Sequence, residues 1–185
     1  MSRTKVGTMG KSMMYRTCTV QVNLDFASES DMRTKMQVST KLQTVATALF
    51  ANSPFTEGQP NGLLSWRWDI WRDTDNQRAG LHEFMMSDEL GFERYVDWVL
   101  DVPMFFIKRP GGYIAHHESF RTYMQKGLVG PDGTHHRATW ADWTLHLSTV
   151  FPEVRLKPHL EFRSADAVGS QFVCAVPALL KGILY

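Results

Sequence analysis

The chain has 185 residues, 43% hydrophobic and 21% charged, with a formal net charge of +1 at pH 7. This composition excludes a disordered chain, and the near-zero charge excludes nucleic acid as the main partner, because phosphate-backbone binding takes a clear basic excess. Two cysteines, Cys18 and Cys174, are too few for a disulfide framework, and no stretch is long and apolar enough to span a bilayer, so a cytoplasmic protein without membrane contact is expected.

The N-terminal run MSRTKVGTMGKSMMYR is basic but lacks the apolar stretch of a signal peptide. Residues 17–26, TCTVQVNLDF, alternate strictly: Cys18, Val20, Val22, Leu24 and Phe26 on one face, Thr19, Gln21, Asn23 and Asp25 on the other. Period two predicts a half-buried strand, with Cys18 packed inside. The polar face is either the wet side of a sheet or the floor of a cleft, since it carries short amides and acceptors in place of Lys and Glu. Ser28 with Asp31 resembles a capping box, and Val38, Leu42, Val45, Ala46 and Leu49 then follow helical spacing, so a long amphipathic helix is predicted to end before Asn52-Ser53-Pro54.

The stretch ANSPFTEGQPNGLLSWRWDIWRDTD, residues 51–75, combines turn residues with three tryptophans and sets Arg67 between two of them. Arg67 is either a surface cation–π partner or an arginine that grips a substrate carboxylate where aromatic walls exclude water. Farther on, Phe92, Tyr95, Val96 and Val99 predict a helix stopped near Pro103, and MFFIK and GYIAH about Pro110-Gly111-Gly112 predict a hairpin. Short helices are expected at 120–126 and at 140–150, the latter capped by Thr139. His116-His117 and His135-His136 read as surface-loop histidines, since adjacent side chains diverge on a strand and no cysteine lies near them. Glu161 and Arg163 share a strand face, which suits either an ion pair or a Mg²⁺ ligand beside a phosphate-binding guanidinium. The order of elements predicts one domain over 1–185, α+β, with a mainly antiparallel sheet flanked by helices. Neither a P-loop nor a G-x-G-x-x-G motif occurs.

RTCTVQVNLDF, ATALFANSPFTEG, GFERYVD, LDVPM and FPEVRLK, in this order, resemble glutamate–cysteine ligase of the plant and proteobacterial type, over nearly the whole chain. The pattern Asn52, Ser53, Pro54, Phe55, Ser65, Arg67, Trp71 is similar to one in the wider carboxylate–amine ligase family. The resemblance implies part of a glutamine-synthetase-like catalytic domain and an ATP- and Mg²⁺-dependent reaction. Glutamate becomes γ-glutamyl phosphate, and the cysteine amine displaces phosphate to give γ-glutamylcysteine, the first step toward glutathione. It implies Glu161 as a Mg²⁺ ligand, and Arg163 as a catalytic contact to the transferred phosphate and nucleotide, with Gln21 and Asn23 facing that nucleotide. Arg67 would act on the substrate carboxylate, with Trp71, Asn52 and Ser65 completing the substrate site.

The chain departs from the pattern it resembles. The usual R-S-H-I-W reads Arg67-Trp68-Asp69-Ile70-Trp71, which sets Asp69 as a potential partner for Arg67, and a glycine-rich run reads Arg163-Ser164-Ala165-Asp166-Ala167-Val168. The upstream acidic strand of the family is also absent from these residues. Two readings follow: a ligase, with self-association or a complementing N-terminal chain, or a truncated, catalytically inactive homologue that retains at most nucleotide or amino-acid binding.

Overall fold

A three-stranded antiparallel sheet backed by one long helix frames the part of the molecule where most of the expected site residues fall. The computed structural model describes residues 7–185, which group into two compact units. The first runs up to Gly91 and resumes from Phe151 to Tyr185; the second is Phe92–Val150.

In the first unit, helix α1 (Gly10–Arg16) precedes strand β1 (Val22–Leu24) and helix α2 (Glu29–Leu49). The Ser28 hydroxyl accepts the Asp31 N–H at 3.2 Å, so the cap expected from the sequence starts α2. A miniature hairpin, β2 (Phe55–Thr56) and β3 (Gln59–Pro60), turns on Glu57 and Gly58, both left-handed at φ 51° and 75°. Helix α3 (Trp66–Arg72) and strand β4 (Ala79–Gly80) follow.

The second unit holds α4 (Phe92–Asp101), the hairpin β5 (Phe106–Arg109) and β6 (Gly112–Ala115), α5 (Phe120–Lys126), the short pair β7 (Leu128–Val129) and β8 (His135–His136), and α6 (Trp140–Leu147). Met104, Ile107, Phe120 and Tyr123 form its core. Thr139 and Asp142 exchange both hydrogen bonds of a capping box at the start of α6. Asp142 also takes a two-pronged ion pair from Arg109 at 2.7 and 2.9 Å. His116, expected on the surface, is buried, with its ring 5.5 Å from that of Tyr123. His117 and His135 are exposed.

The chain then returns to the first unit with β9 (Phe151–Pro152), β10 (Val154–Leu156), β11 (Leu160–Phe162) and α7 (Ala175–Leu184). Strand β11 pairs antiparallel with both β1 and β10. The registers align Val22, Phe162 and Val154 in one row, and Leu24, Leu160 and Leu156 in another. Between them runs the row Asn23, Glu161 and Arg155, whose side chains take the opposite face because successive residues of a strand alternate. The apolar rows pack on α2, where Met32, Met36 and Ala46 are buried, and Val176 and Leu180 of α7 join the same layer. The sheet is mainly antiparallel; β4 and β9 form a short parallel pair.

Three expectations need correction. The strand expected over 17–26 is regular only at Val22–Leu24, because β11 offers it three partners; Thr19 reaches Asp166 by an isolated bridge. Cys18 is exposed and contributes nothing to the core. The apolar stripe read on α2 is mostly the outer one: Val38, Val45 and Leu49 are exposed, while Lys35, Ser39, Thr40 and Gln43 are buried with Met32 and Met36. Burial of Lys35 is tolerable because its ammonium reaches the Asp31 carboxylate at 2.9 Å and the Asp25 carbonyl at 3.1 Å. Among the described residues no helix is long and apolar enough to cross a membrane.

Candidate functional site

The site is assembled around the exit of β11, residues 163–167, where three distant stretches of sequence meet. Asp166 is buried, and its carboxylate accepts from the Asn52 N–H at 2.8 Å, the Ser53 hydroxyl at 2.7 Å and the Ser65 hydroxyl at 2.9 Å. Ser65 is also the N-cap of α3, accepting from the Trp68 N–H at 3.1 Å, and Ser53 accepts from the Arg67 N–H at 3.0 Å. The Asn52 amide donates to the Ala167 carbonyl at 2.8 Å. A single carboxylate therefore fixes where α3 starts and which way Arg67 leaves it.

Arg67 is 4% exposed. Its Nη2 donates to the Arg163 carbonyl at 2.6 Å and its Nη1 to the Ser164 carbonyl at 3.4 Å, while Nε, buried, has no partner. The guanidinium thus braces α3 against the chain after β11. The aromatic contacts belong to other arginines: Arg163 lies over Trp71 at 5.1 Å and over Phe151 at 5.4 Å, and Arg72 lies over Trp68 at 4.9 Å. Asp69 does not pair with Arg67; it takes Arg72, at 3.1 Å, on the opposite side of the helix.

On the polar face of the sheet, Glu161 is ringed by cations. Arg163 Nη1 donates to Oε1 at 2.9 Å, Arg155 approaches the same oxygen at 3.6 Å, and Lys157 closes on Oε2. Burial of Glu161 favours its neutral form, but hydrogen bonds from Lys157 and Arg163 and the charge of Arg155 outweigh this and hold the carboxyl below its ordinary range. Asn23 stands directly opposite Glu161 on β1, and Gln21, just before that strand, is exposed.

One row along, Glu153 has the reverse character: burial pushes its carboxyl up, against the charges of Arg67 and Arg163 and a 3.2 Å bond from the Ser164 hydroxyl. The face therefore carries three cations about one ionised carboxylate, which suits the oxygens of a phosphate. It does not fit Mg²⁺ held by these residues alone. The Glu161 oxygens are already taken by cations, and among the described residues no three His, Cys, Asp or Glu side chains gather as metal ligands.

Of the residues expected at a site, the fold joins Asn52, Ser65 and Arg67 through Asp166, and sets Arg163 over Trp71 and against Glu161. Sequence reasoning missed Glu153, Arg155, Lys157 and Asp166. A signal for the first three was present: Glu153, Arg155 and Lys157 alternate with Val154 and Leu156. Asp166 had none, since only the fold gives it three donors.

The family model of glutamate-cysteine ligase family 2 matches residues 1–185. The chain is 56% identical over 182 residues to the chloroplastic glutamate–cysteine ligase of Nicotiana tabacum, covering 98% of this chain and 34% of that protein. It is 55% identical to that of Solanum lycopersicum, with the same coverage, and 54% identical to chloroplastic glutamate–cysteine ligase B of Oryza sativa subsp. japonica, covering 98% and 36%. The chain thus spans about a third of the length of these curated relatives. Their names overturn the expectation of the cytoplasm, for a low cysteine count speaks of a reducing compartment without distinguishing one from another. The family match over residues 1–185 and this level of identity show that the chain belongs to glutamate-cysteine ligase family 2.

Proposed function

We propose that the chain carries part of the catalytic centre of a plastid glutamate–cysteine ligase, which consumes ATP with Mg²⁺ and forms γ-glutamylcysteine through γ-glutamyl phosphate. One observation carries this reading: the polar sheet face gathers Arg163, Arg155 and Lys157 about Glu161. Phosphoryl transfer onto a carboxylate brings several anions together, so catalysis lies largely in positioning and charge neutralisation, and no protein nucleophile is needed. In this reading Arg163 contacts the transferred phosphate and the nucleotide, and Gln21 and Asn23 border the nucleotide. Glu161 holds the cations in place until phosphate arrives. Arg67 orients the substrate arm with Asn52 and Ser65, and Trp71 supports Arg163. The carboxylates that would hold Mg²⁺ lie outside the described residues.

The second reading, a homologue that retains at most nucleotide or amino-acid binding, is favoured by the ion pairs that already occupy both Glu161 oxygens. Calorimetric titration of Mg-ATP into the folded chain, with and without glutamate, separates the two. The ligase reading expects binding that depends on Mg²⁺, strengthens with glutamate and weakens roughly tenfold in Lys157→Ala, the loss of one charge-assisted hydrogen bond. No heat from a chain with native circular dichroism leaves the non-catalytic reading.

A further inference from the structure

A buried imidazole stands at a joint of the second unit. His116 directly follows β6, where its backbone N–H donates to the Phe105 carbonyl at 3.1 Å, and its ring lies 5.5 Å from that of Tyr123 on α5, tilted by 59°. It is 9% exposed, and its Nε2 is sealed from solvent without a partner. His146, also buried in this unit, instead sets its Nε2 at 2.9 Å from the Val99 carbonyl. Around His116 the chain changes from strand to helix. The Met104 N–H donates to the Glu118 carbonyl at 2.9 Å, Pro103 bridges to Ser119, and the Ser119 hydroxyl caps α5 by accepting from the Thr122 N–H at 3.2 Å. The contact between the His116 and Tyr123 rings therefore ties the end of the β5–β6 hairpin to α5.

This setting suits a neutral ring and not a charged one. A protonated imidazole carries N–H donors at both ring nitrogens, and the sealed Nε2 has no acceptor to receive one. The Tyr123 hydroxyl is already engaged: it accepts from Arg109 Nη2 at 2.9 Å and has the Arg137 carbonyl at 3.0 Å and Asp142 Oδ2 at 3.2 Å for its own proton. Arg109, from β5, also brings a positive charge to that ring, and Asp142 of α6 is committed to Arg109 by two hydrogen bonds. Burial holds the His116 imidazole below its ordinary value; the charge of Glu118, an exposed residue, opposes this and that of His117 adds to it. The face of the Tyr123 ring attracts a cation only weakly by comparison with the loss of solvation.

We propose that this joint is an acid-sensitive latch: a neutral His116 packed on Tyr123 holds the β5–β6 hairpin to α5, and uptake of a proton by its ring frees the two from each other. An imidazole released to water binds a proton near its ordinary value of about 6.5, while the packed ring resists one. The open joint thus takes up protons that the closed joint refuses. Closure is complete above about pH 6.5 and weakens as pH falls below that value toward the lower one of the packed ring. Between pH 7.5 and 5.5 a single such imidazole can lower the ratio of closed to open joint by at most about tenfold. The latch lies wholly within the second unit and does not depend on the ligase reading.

Hydrogen exchange of the full chain at pH 7.5 and 5.5, corrected for the intrinsic pH dependence of amide exchange, tests the latch. Protection of the Met104, His116 and Tyr123 N–H groups, which hold the joint together, should fall on acidification by up to about tenfold. His116→Phe, which keeps a ring, and His116→Gln, which keeps a polar side chain, remove the titrating group. Either should reduce the loss at these amides to less than about twofold. His82, whose burial lowers its imidazole to about 4, gives the first unit an acid response of its own, and neither variant should alter that response. Native circular dichroism is required of each variant. Nuclear magnetic resonance titration of the His116 ring in the parent chain needs no variant, and an inflection below about 6.5 is expected. The latch is overturned if the parent loses no protection at these amides, if both folded variants lose as much as the parent, or if the His116 ring titrates at or above about 6.5.

Discussion

Two glutamates one row apart on the same sheet face respond to pH in opposite directions. Glu161 is held below the ordinary carboxylate range, so the stability it contributes is complete above the unfolded value of about 4.3 and is lost as pH falls through its lower folded value. Removing its charge takes away the carboxylate that Arg163 and Lys157 share and Arg155 approaches. Glu161→Gln should therefore cost about 3 kcal/mol at pH 7, a penalty that shrinks below about pH 4. Glu153 is pushed up by burial, so the folded state keeps a proton that the unfolded chain has released, and stability declines as pH rises from about 4.3 through the raised value. Glu153→Gln should match the parent near pH 4 and exceed it at pH 7. Urea midpoints of both variants at the two pH values check the pair of signs. The sequence displayed the residues of this face but not their partners: Glu161-x-Arg163 was legible as a shared strand face, whereas the ring of cations depends on β10 folding back beside β11. Arg67 illustrates the other limit, since its neighbours in sequence are indoles and its partners in space are the carbonyls of Arg163 and Ser164.

Among the elements, those announced by short-range chemistry were the legible ones. Ser28 and Thr139 cap α2 and α6 as expected, and the turn about Pro110-Gly111-Gly112 makes the β5–β6 hairpin. Helix α7 was hidden by Pro177 and Gly182, two residues that usually break helices. Pro177 lies in the first turn, where its missing N–H costs no helical hydrogen bond. For α2 the sequence supplied the helix and misled about its face, because some polar groups on the inner side, the Ser39 hydroxyl and the Gln43 NH₂, find hydrogen bonds within the helix, while Thr40 Oγ1 and Gln43 Oε1 are buried without one. The Ser39 hydroxyl donates to the Lys35 carbonyl at 2.5 Å, and the Gln43 amide to the Ser39 carbonyl at 2.9 Å. The assignment makes a direct contrast testable by thermal denaturation. Met36→Ala, at a fully buried position, should cost about 2–5 kcal/mol. Leu49→Lys, on the exposed stripe, should change stability by no more than about 0.5 kcal/mol. If the stripe read from the sequence were the core, the two results would exchange places.

For the molecule as a whole, the decisive feature is that the first unit is built from both ends of its sequence. Strand β1, near the start, finds its partner β11 only after the chain has passed through all of Phe92–Val150, and the buried layer over α2 is incomplete until β10, β11 and α7 arrive. Pairings so distant in sequence pay their loop-closure entropy before any contact repays it, which makes this unit slow to fold. The central strand is the point of greatest leverage, since Leu160 is wholly buried and lies between Leu24 and Leu156. Leu160→Ala should cost about 2–5 kcal/mol and lower hydrogen-exchange protection in α2 together with that in β1, although neither element adjoins residue 160 in sequence. Protection lost only at residues next to 160 would mean that α2 and the sheet do not share one cooperative core. The same substitution should leave the Asp166 bonds to Asn52, Ser53 and Ser65 intact while the unit remains folded, because these join loop to helix start and not strand to strand.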